Sequence, residues 1–315
     1  MTNHDWKPGA SLEMLERRNE LLQQIRAFFL ERGVMEVETP LLSGAGNSDP
    51  GIEQFALEAG VAWLRTSPEY AMKRLLAAGS GDIFELGRVF RDGEQGRHHN
   101  REFTMLEWYR CGWTLFQLMD EVGQLVRAVF CDEPLTETRI SYRDLFLAYT
   151  GTDPLLCSTA ELGERATEFG LDVPGLDRDG LLDLLLSHVI QPKMKTQGMV
   201  FVHDYPPSQA ALAQIREGDP AVAERFELFL DGIELANGYH ELADAGEQRQ
   251  RFELENRRRG ESGRDAAPID QNLLGALQAG LPDCCGVALG FDRLLMRLLG
   301  VDDLDQVIPF TSQRA

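Results

Sequence analysis

Between positions 11 and 33 the chain reads SLEMLERRNELLQQIRAFFLERG, and Leu12, Leu15, Leu22, Ile25 and Phe29 recur at the spacing of one helical face. This predicts a helix with Gly33 as its C-terminal stop. VMEVETPLL then predicts a short strand broken at Pro40, and the Gly-, Ser-, Asn- and Asp-rich segment 43–54 predicts a loop able to fold over a site. VAWLRTSPEYAMKRLLAAG reads as a strand entering a helix, with Ser67 as cap and Pro68 in the first turn, which places Glu69 at a helix N-terminus.

A strand-turn-strand is predicted over 83–110, helices from 114 to about 190, and a strand at GMVFVHDYP that leads through a helix to ERFELFLDGIELANGYHEL. The last of these reads as a hairpin turning at Asp231 and Gly232. A charged helix near 247–260, another near 270–279 and the strand-turn-helix GVALGFDRLLMRLLG complete the pattern. Strands scattered among helices, without regular βαβ alternation, predict an α+β protein with a mostly antiparallel β-sheet flanked by helices.

Charge changes the picture. Thirty-one basic against 51 acidic residues give a formal net charge of −20, which disfavours nucleic acid as the main partner. Cys111, Cys131, Cys157, Cys284 and Cys285 make no CxxC pair or metal-ligand spacing, and their odd number argues against a disulfide framework, so a cytoplasmic protein fits. Adjacent Cys284 and Cys285 read as small buried residues. No run approaches the roughly 18 apolar residues of a membrane span, and the start MTNHDWKPGA lacks a signal pattern.

The candidate chemistry lies in GRVFRDGEQGRHHNREFTMLEWYR, positions 87–110. If FTMLEWYR is a strand, Phe103, Met105, Glu107 and Tyr109 share one face. Phe103 and Glu107 then stand roughly 13 Å apart, about the distance from a nucleobase to the amino group of an aminoacyl-adenylate. The intervening loop offers Arg91, Arg97, His98, His99 and Asn100 as donors for a polyphosphate, although by itself it reads as a solvated hairpin tip.

This stretch resembles motif 2 of the class II aminoacyl-tRNA synthetases, with RHHNREFTMLEWY nearest the lysyl-tRNA synthetase version. Helix 11–32 with the strand ending at Pro40 resembles motif 1, and GVALGFDR resembles motif 3. The resemblance runs through nearly all 315 residues, which predicts one catalytic domain with a helical insertion at about 114–195. It implies that Arg91 holds the α-phosphate, that Phe103 stacks on adenine, and that Arg293 covers the opposite face and the γ-phosphate side. It further implies ATP contacts at Asp92, Gly93, His99, Asn100, Glu234, Leu235 and Gly290.

In the hairpin, Phe229 is expected opposite Glu234, making Glu227 the same-face diagonal neighbour of Glu234. Both carboxylates could then reach one Mg²⁺, as matching glutamates do in lysyl enzymes. The resemblance directs Glu69, Glu107 and Glu241 into the amino-acid pocket with Ser67, Pro68, Tyr109, Asn237 and Ala288. So acidic a pocket suits a substrate with two ammonium groups. RRR at 257–259 reads as the basic last turn of a helix, and His188 and His203 as structural residues.

Motif 1 begins within the first dozen residues, so the anticodon-reading domain of a lysyl-tRNA synthetase is expected to be absent. With the acidic charge, this resembles the stand-alone lysyl-synthetase paralogues that ligate (R)-β-lysine to a lysine of elongation factor P. SPEYAMKRLL, GIELANGYHEL and SGRDAAPIDQNLL carry the narrower match. Ala288 stands where lysyl-tRNA synthetases have glycine, so one methyl enters the amino-acid pocket, a change worth about 1 to 3 kcal/mol in substrate preference.

Departures from the family pattern are Gly93 followed by Glu94, where glutamate is usual two residues after the arginine, Asp92 for asparagine, and Arg101 for proline. The resemblance implies an ATP-dependent, AMP-forming ligase acting on (R)-β-lysine or lysine, and a homodimer built on motif 1. Residual lysyl-tRNA aminoacylation and stand-alone amide synthesis are the alternatives.

Overall fold

The computed structural model describes residues 6–57, 62–131 and 134–315. Position 61, where the strand before Ser67 was expected to begin, and the first half of the stretch read for a signal pattern lie outside them. Packing divides the chain into two units, one of residues 1–112 with 243–315 and one of residues 113–242.

In the first unit, helix α1 (Leu12–Leu30) starts at Ser11, whose side chain accepts the Met14 N–H. Its buried face is Arg18, Leu21, Ile25, Phe28 and Phe29, while Leu12 is exposed and Leu15 and Leu22 only half-buried, so the seam is rotated from the expected one. Gly33 follows at φ +67°, the left-handed conformation that suits a helix stop. The predicted strand shrinks to β1 (Met35–Glu36). Strands β2 (Leu42–Ser43), β3 (Ala56–Leu57) and β4 (Ala62–Leu64) form a small sheet in the order β2-β4-β3. Helix α2 (Glu69–Ala77) leads to the long hairpin β5 (Ile83–Phe90) and β6 (Glu102–Cys111).

The second unit begins with α3 (Leu115–Val129), closed by a reciprocal Thr114–Gln117 capping box. Strand β7 (Glu137–Ser141) follows, then α4 (Tyr142–Thr150), α5 (Thr159–Glu168), α6 (Arg178–Leu185), β8 (Met199–Tyr205), β9 (Ile215–Arg216), β10 (Val222–Leu230) and β11 (Ile233–His240). Its sheet runs β7-β8-β10-β11 with β9 on β10, antiparallel except for the β7–β8 pair. Two expectations change here. Glu137–Ser141 is a strand inside the region read as helical, and a 3-10 turn (Pro207–Gln209) and β9 replace the helix expected between β8 and β10. For β7, pairing with the distant β8 overrides local propensity. Asp231 (φ +49°) and Gly232 (φ +79°) make the predicted two-residue turn.

The chain returns to the first unit through α7 (Ala245–Glu261), α8 (Gln271–Gly280), β12 (Cys284–Gly290) and α9 (Phe291–Leu298). Antiparallel pairing of β12 with β6 gives the sheet order β1-β5-β6-β12, with only β1 parallel to its neighbour. Phe29 of α1 stacks on Phe84 with ring centroids 4.6 Å apart and meets Trp108 edge-on at 5.2 Å. Helix α1 therefore covers the Thr104–Trp108 face of β6, and alternation turns Phe103, Met105, Glu107 and Tyr109 to the other face. Cys284 and Cys285 are fully buried, as expected.

Candidate active site

The carboxylate of Glu107 is 2% exposed and accepts a hydrogen bond on each oxygen, Oε2 from Ser67 Oγ and Oε1 from the Tyr109 hydroxyl, both at 2.7 Å. Ser67 Oγ also accepts the Glu69 N–H at 2.9 Å. Pro68 opens α2 without a side-chain acceptor, so the serine before it caps the first turn and orients Glu107 at once. Across the β6–β12 ladder Ala288 is the partner of Glu107 and Gly286 of Tyr109, which puts the Ala288 methyl beside the carboxylate.

Glu69 is not a bare anion. Lys73, 1% exposed and one helical turn further along α2, donates to Glu69 Oε1 at 2.7 Å. One lobe of this carboxylate is therefore neutralised internally. The i,i+4 spacing on a predicted helix carried the signal for this pair, which the sequence reading passed over.

At the other end of β6 the Arg91 guanidinium lies 5.3 Å from the centre of the Phe103 ring. Its Nη1 donates to Glu94 at 3.0 Å and its Nε to the Thr66 carbonyl at 3.4 Å. The shifted glutamate thus still reaches the arginine. A side chain at Gly93 would begin 3.1 Å from a Glu53 carboxylate oxygen, an unfavourable place for a second acid. The other two departures answer each other, since Arg101 is ion-paired with Asp92 and lies over the Phe55 ring at 4.5 Å.

The loop donors divide into two kinds. Arg293 donates from Nε to the His98 carbonyl at 3.1 Å, and burial, Arg293 and Arg97 together hold the His98 imidazole below its ordinary pKa, so it is neutral at pH 7. Gly290, the last residue of β12, stands just before α9 and places Arg293 in the first turn of that helix. Asn100 is buried and turned inward. Its Oδ1 accepts from the Ser312 N–H and hydroxyl at 3.0 Å, and its Nδ2 donates to the Glu102 carbonyl at 2.6 Å. The His99 backbone closes the loop tip, its N–H donating to the Gly96 carbonyl at 3.2 Å and its carbonyl accepting the Gly96 N–H at 3.0 Å. The backbone of Leu304 also joins the loop by donating to the Arg97 carbonyl at 3.0 Å.

A cavity of about 350 Å³ in the first unit is lined by Ser67, Pro68 and Glu69, by the loop 42–47 and by Asp270–Asn272. That loop continues into a segment pinned on α7. Ser48 Oγ donates to Glu255 at 2.5 Å, Arg259 to the carbonyls of Asp49 (3.0 Å) and Ile52 (3.3 Å), and Arg264 to that of Pro50. Arg259 does lie in the last turn of α7, as the RRR reading had it, but it is buried as a clamp on the loop. Burial pushes the Glu255 carboxyl up to about 7, with Ser48 opposing and Asp49 adding to the rise.

In the second unit Phe229 pairs with Glu234 as expected. A bulge at Leu228/Phe229 then sets Glu227 opposite Asn237. Arg225 binds both, donating to Glu227 Oε1 at 2.5 Å and to Asn237 Oδ1 at 3.3 Å. Asn237 also donates to the Tyr239 hydroxyl at 3.0 Å. Burial pushes Glu227 up to about 7, Arg225 opposes that rise, and the nearby negative charge of Glu234 adds to it. Two mutually repelling carboxylates suit a divalent cation. No group of three or more acidic, histidine or cysteine side chains able to hold a metal occurs among the described residues. A pair fits Mg²⁺, which takes one or two carboxylates and fills its shell with phosphate and water oxygens. Leu235 and Glu241 are buried, and the Glu241 carbonyl accepts from Gln214 at 2.9 Å.

Residues 5–314 match the family model described as tRNA synthetases class II (D, K and N). A protein of Vibrio cholerae serotype O1 named elongation factor P--(R)-beta-lysine ligase is 49% identical over 327 residues, covering 100% of both chains. The protein of that name from Salmonella typhi is 48% identical over 325 residues, covering 98% of each.

Proposed function

Because this chain belongs to the class II tRNA synthetase family of the D, K and N type, we propose that it is an ATP-dependent ligase that activates (R)-β-lysine or lysine and joins it to a lysine of elongation factor P. The observation that carries this reading is the polarity of one face of β6. An aromatic ring under a guanidinium stands at Phe103, and a carboxylate held by Ser67 and Tyr109 stands at Glu107, roughly 13 Å along the strand.

The substrate carboxylate, with a pKa near 3.5, is already ionised at pH 7, so its attack on the α-phosphorus needs no general base. The new C–O–P linkage forms as the bond to pyrophosphate breaks. Arg91 and Arg293 supply positive charge for the phosphates, and Phe103 provides the surface for adenine. Glu107 and the free lobe of Glu69 receive ammonium groups, with Glu241 and Asn237 as further contacts. Glu227 and Glu234 would hold Mg²⁺, which supplies charge cancellation on the phosphates. In the second step the ε-amine of the acceptor attacks the carbonyl carbon, loses a proton and expels AMP, leaving an amide bond.

The reading includes a cytoplasmic homodimer in which the whole chain forms the catalytic domain. Leu12, Leu30 and Met35, all exposed in the elements matching motif 1, support a protein partner there. No helix among the described residues is long and apolar enough to cross a membrane.

The test is intact-mass analysis of elongation factor P after incubation with enzyme, ATP and each lysine isomer. A mass gain of one lysyl unit is expected. Unmodified factor together with labelled lysine on tRNA, or a released small amide, would overturn the proposal.

A further inference from the structure

We propose that a buried bridge of Arg18, Asp292 and Thr104 positions the two nucleotide-handling residues, Phe103 and Arg293; the inference rests on the ATP-binding role assigned to those two above. Asp292 is 2% exposed and accepts from Arg18 Nη1 on Oδ1 at 2.5 Å and from the Thr104 N–H on Oδ2 at 2.7 Å. Arg18 Nη2 closes the ring by donating to Thr104 Oγ1 at 2.7 Å, and the guanidinium lies 4.8 Å from the centre of the Phe291 ring.

The position of the bridge gives it this role. The β6–β12 ladder ends at the pair Met105–Gly290, so backbone pairing no longer sets the spacing of the residues beyond it. Those residues are Thr104 and Phe103 on one side and Phe291 to Arg293 on the other. The Asp292 carboxylate takes over where the ladder stops, binding the Thr104 N–H directly. Alternation along the strand turns Phe103 to the face opposite Thr104. The roughly 100° step between helical residues turns Arg293 away from Asp292. Thr104 and Asp292 are thus the chain neighbours of Phe103 and Arg293, the two residues on the nucleotide side. Arg18 locks both from α1, where it interrupts an otherwise apolar face. A buried ion pair is a weak source of net stability compared with apolar packing, and such a pair is better suited to fixing one geometry.

The test measures the affinities for ATP and (R)-β-lysine by calorimetry, with melting temperature, in the wild type, Thr104→Val and Asp292→Asn. Both variants are expected to weaken ATP about ten-fold or more while (R)-β-lysine stays within about two-fold, because misplacement affects only the nucleotide end. An ATP affinity within about two-fold of wild type in a variant whose melting temperature has fallen would show a purely structural bridge and overturn the proposal. Equal weakening of both ligands would overturn it too. If Asp292→Asn does not fold, Thr104→Val, which keeps both charges, carries the test. A wild type that binds ATP yet gives no pyrophosphate exchange would refute the ligase reading, while the comparison of ATP affinities would still decide the role of the bridge.

Discussion

Ala288 faces Glu107 directly across the paired strands β12 and β6, so one methyl group borders the carboxylate that Ser67 and Tyr109 hold in place. Removing it leaves the backbone pairing intact and enlarges the space beside the acid. Ala288→Gly is expected to move the ratio of kcat/KM for α-lysine over (R)-β-lysine toward α-lysine by about 10- to 200-fold, the range of a methyl-sized change in a pocket. Pyrophosphate exchange with each isomer measures it. An unchanged ratio would show that the methyl does not select the amine position.

Lys73 and Glu69 form a pair whose ammonium is almost fully buried, with side-chain exposures of 1% and 14%. Lys73→Met leaves the acid without its internal counter-charge. Breaking a buried pair from one side costs about 3 to 5 kcal/mol, and a loss of that order is expected in chemical denaturation. The double variant Lys73→Met with Glu69→Gln should recover part of it. No recovery would mean that the lysine acts through packing and not through charge.

The Glu255 carboxyl, raised from the usual 4.5 to about 7 chiefly by burial, makes stability depend on pH. A raised carboxyl binds its proton more tightly in the folded state, so the contribution is complete below the unfolded pKa and is lost as pH rises. The loss falls between about pH 4.5 and pH 7 and amounts to at most about 3 kcal/mol. Glu255→Gln can still accept from Ser48 and should flatten this fall. Melting temperatures across that window check it, and parallel slopes in both proteins would remove Glu255 as the cause.

Gly232 has φ +79°, and a Cβ there would stand 2.7 Å from the Gln191 carbonyl oxygen. Gly232→Ala therefore combines left-handed strain with a backbone clash. A loss of at least about 1 to 2 kcal/mol is expected. Because this turn also sets the register of Glu227 and Glu234, the variant should need more Mg²⁺ for half-maximal pyrophosphate exchange. Unchanged Mg²⁺ dependence would argue against metal binding by this hairpin.

The periodicity, turn residues and ordered motifs of the chain determined much by themselves. They determined the helix opening at Ser11, the hairpin that carries Phe103 and Glu107 on one face, the turn at Asp231 and Gly232, and the family. Each of these depends on neighbours a few residues apart, where backbone geometry converts spacing into a shared face. Tertiary structure alone decided the partners of charges whose mates lie far along the chain. Arg18 meets Asp292 from 274 positions away, and Ser48 meets Glu255 from 207. Local pattern also could not reveal β7, a polar run that becomes a strand when β8 lies beside it. A buried charge is tolerated only with a partner, and the closing of long loops chooses that partner, so propensity, which acts within a turn or two, carries no record of it.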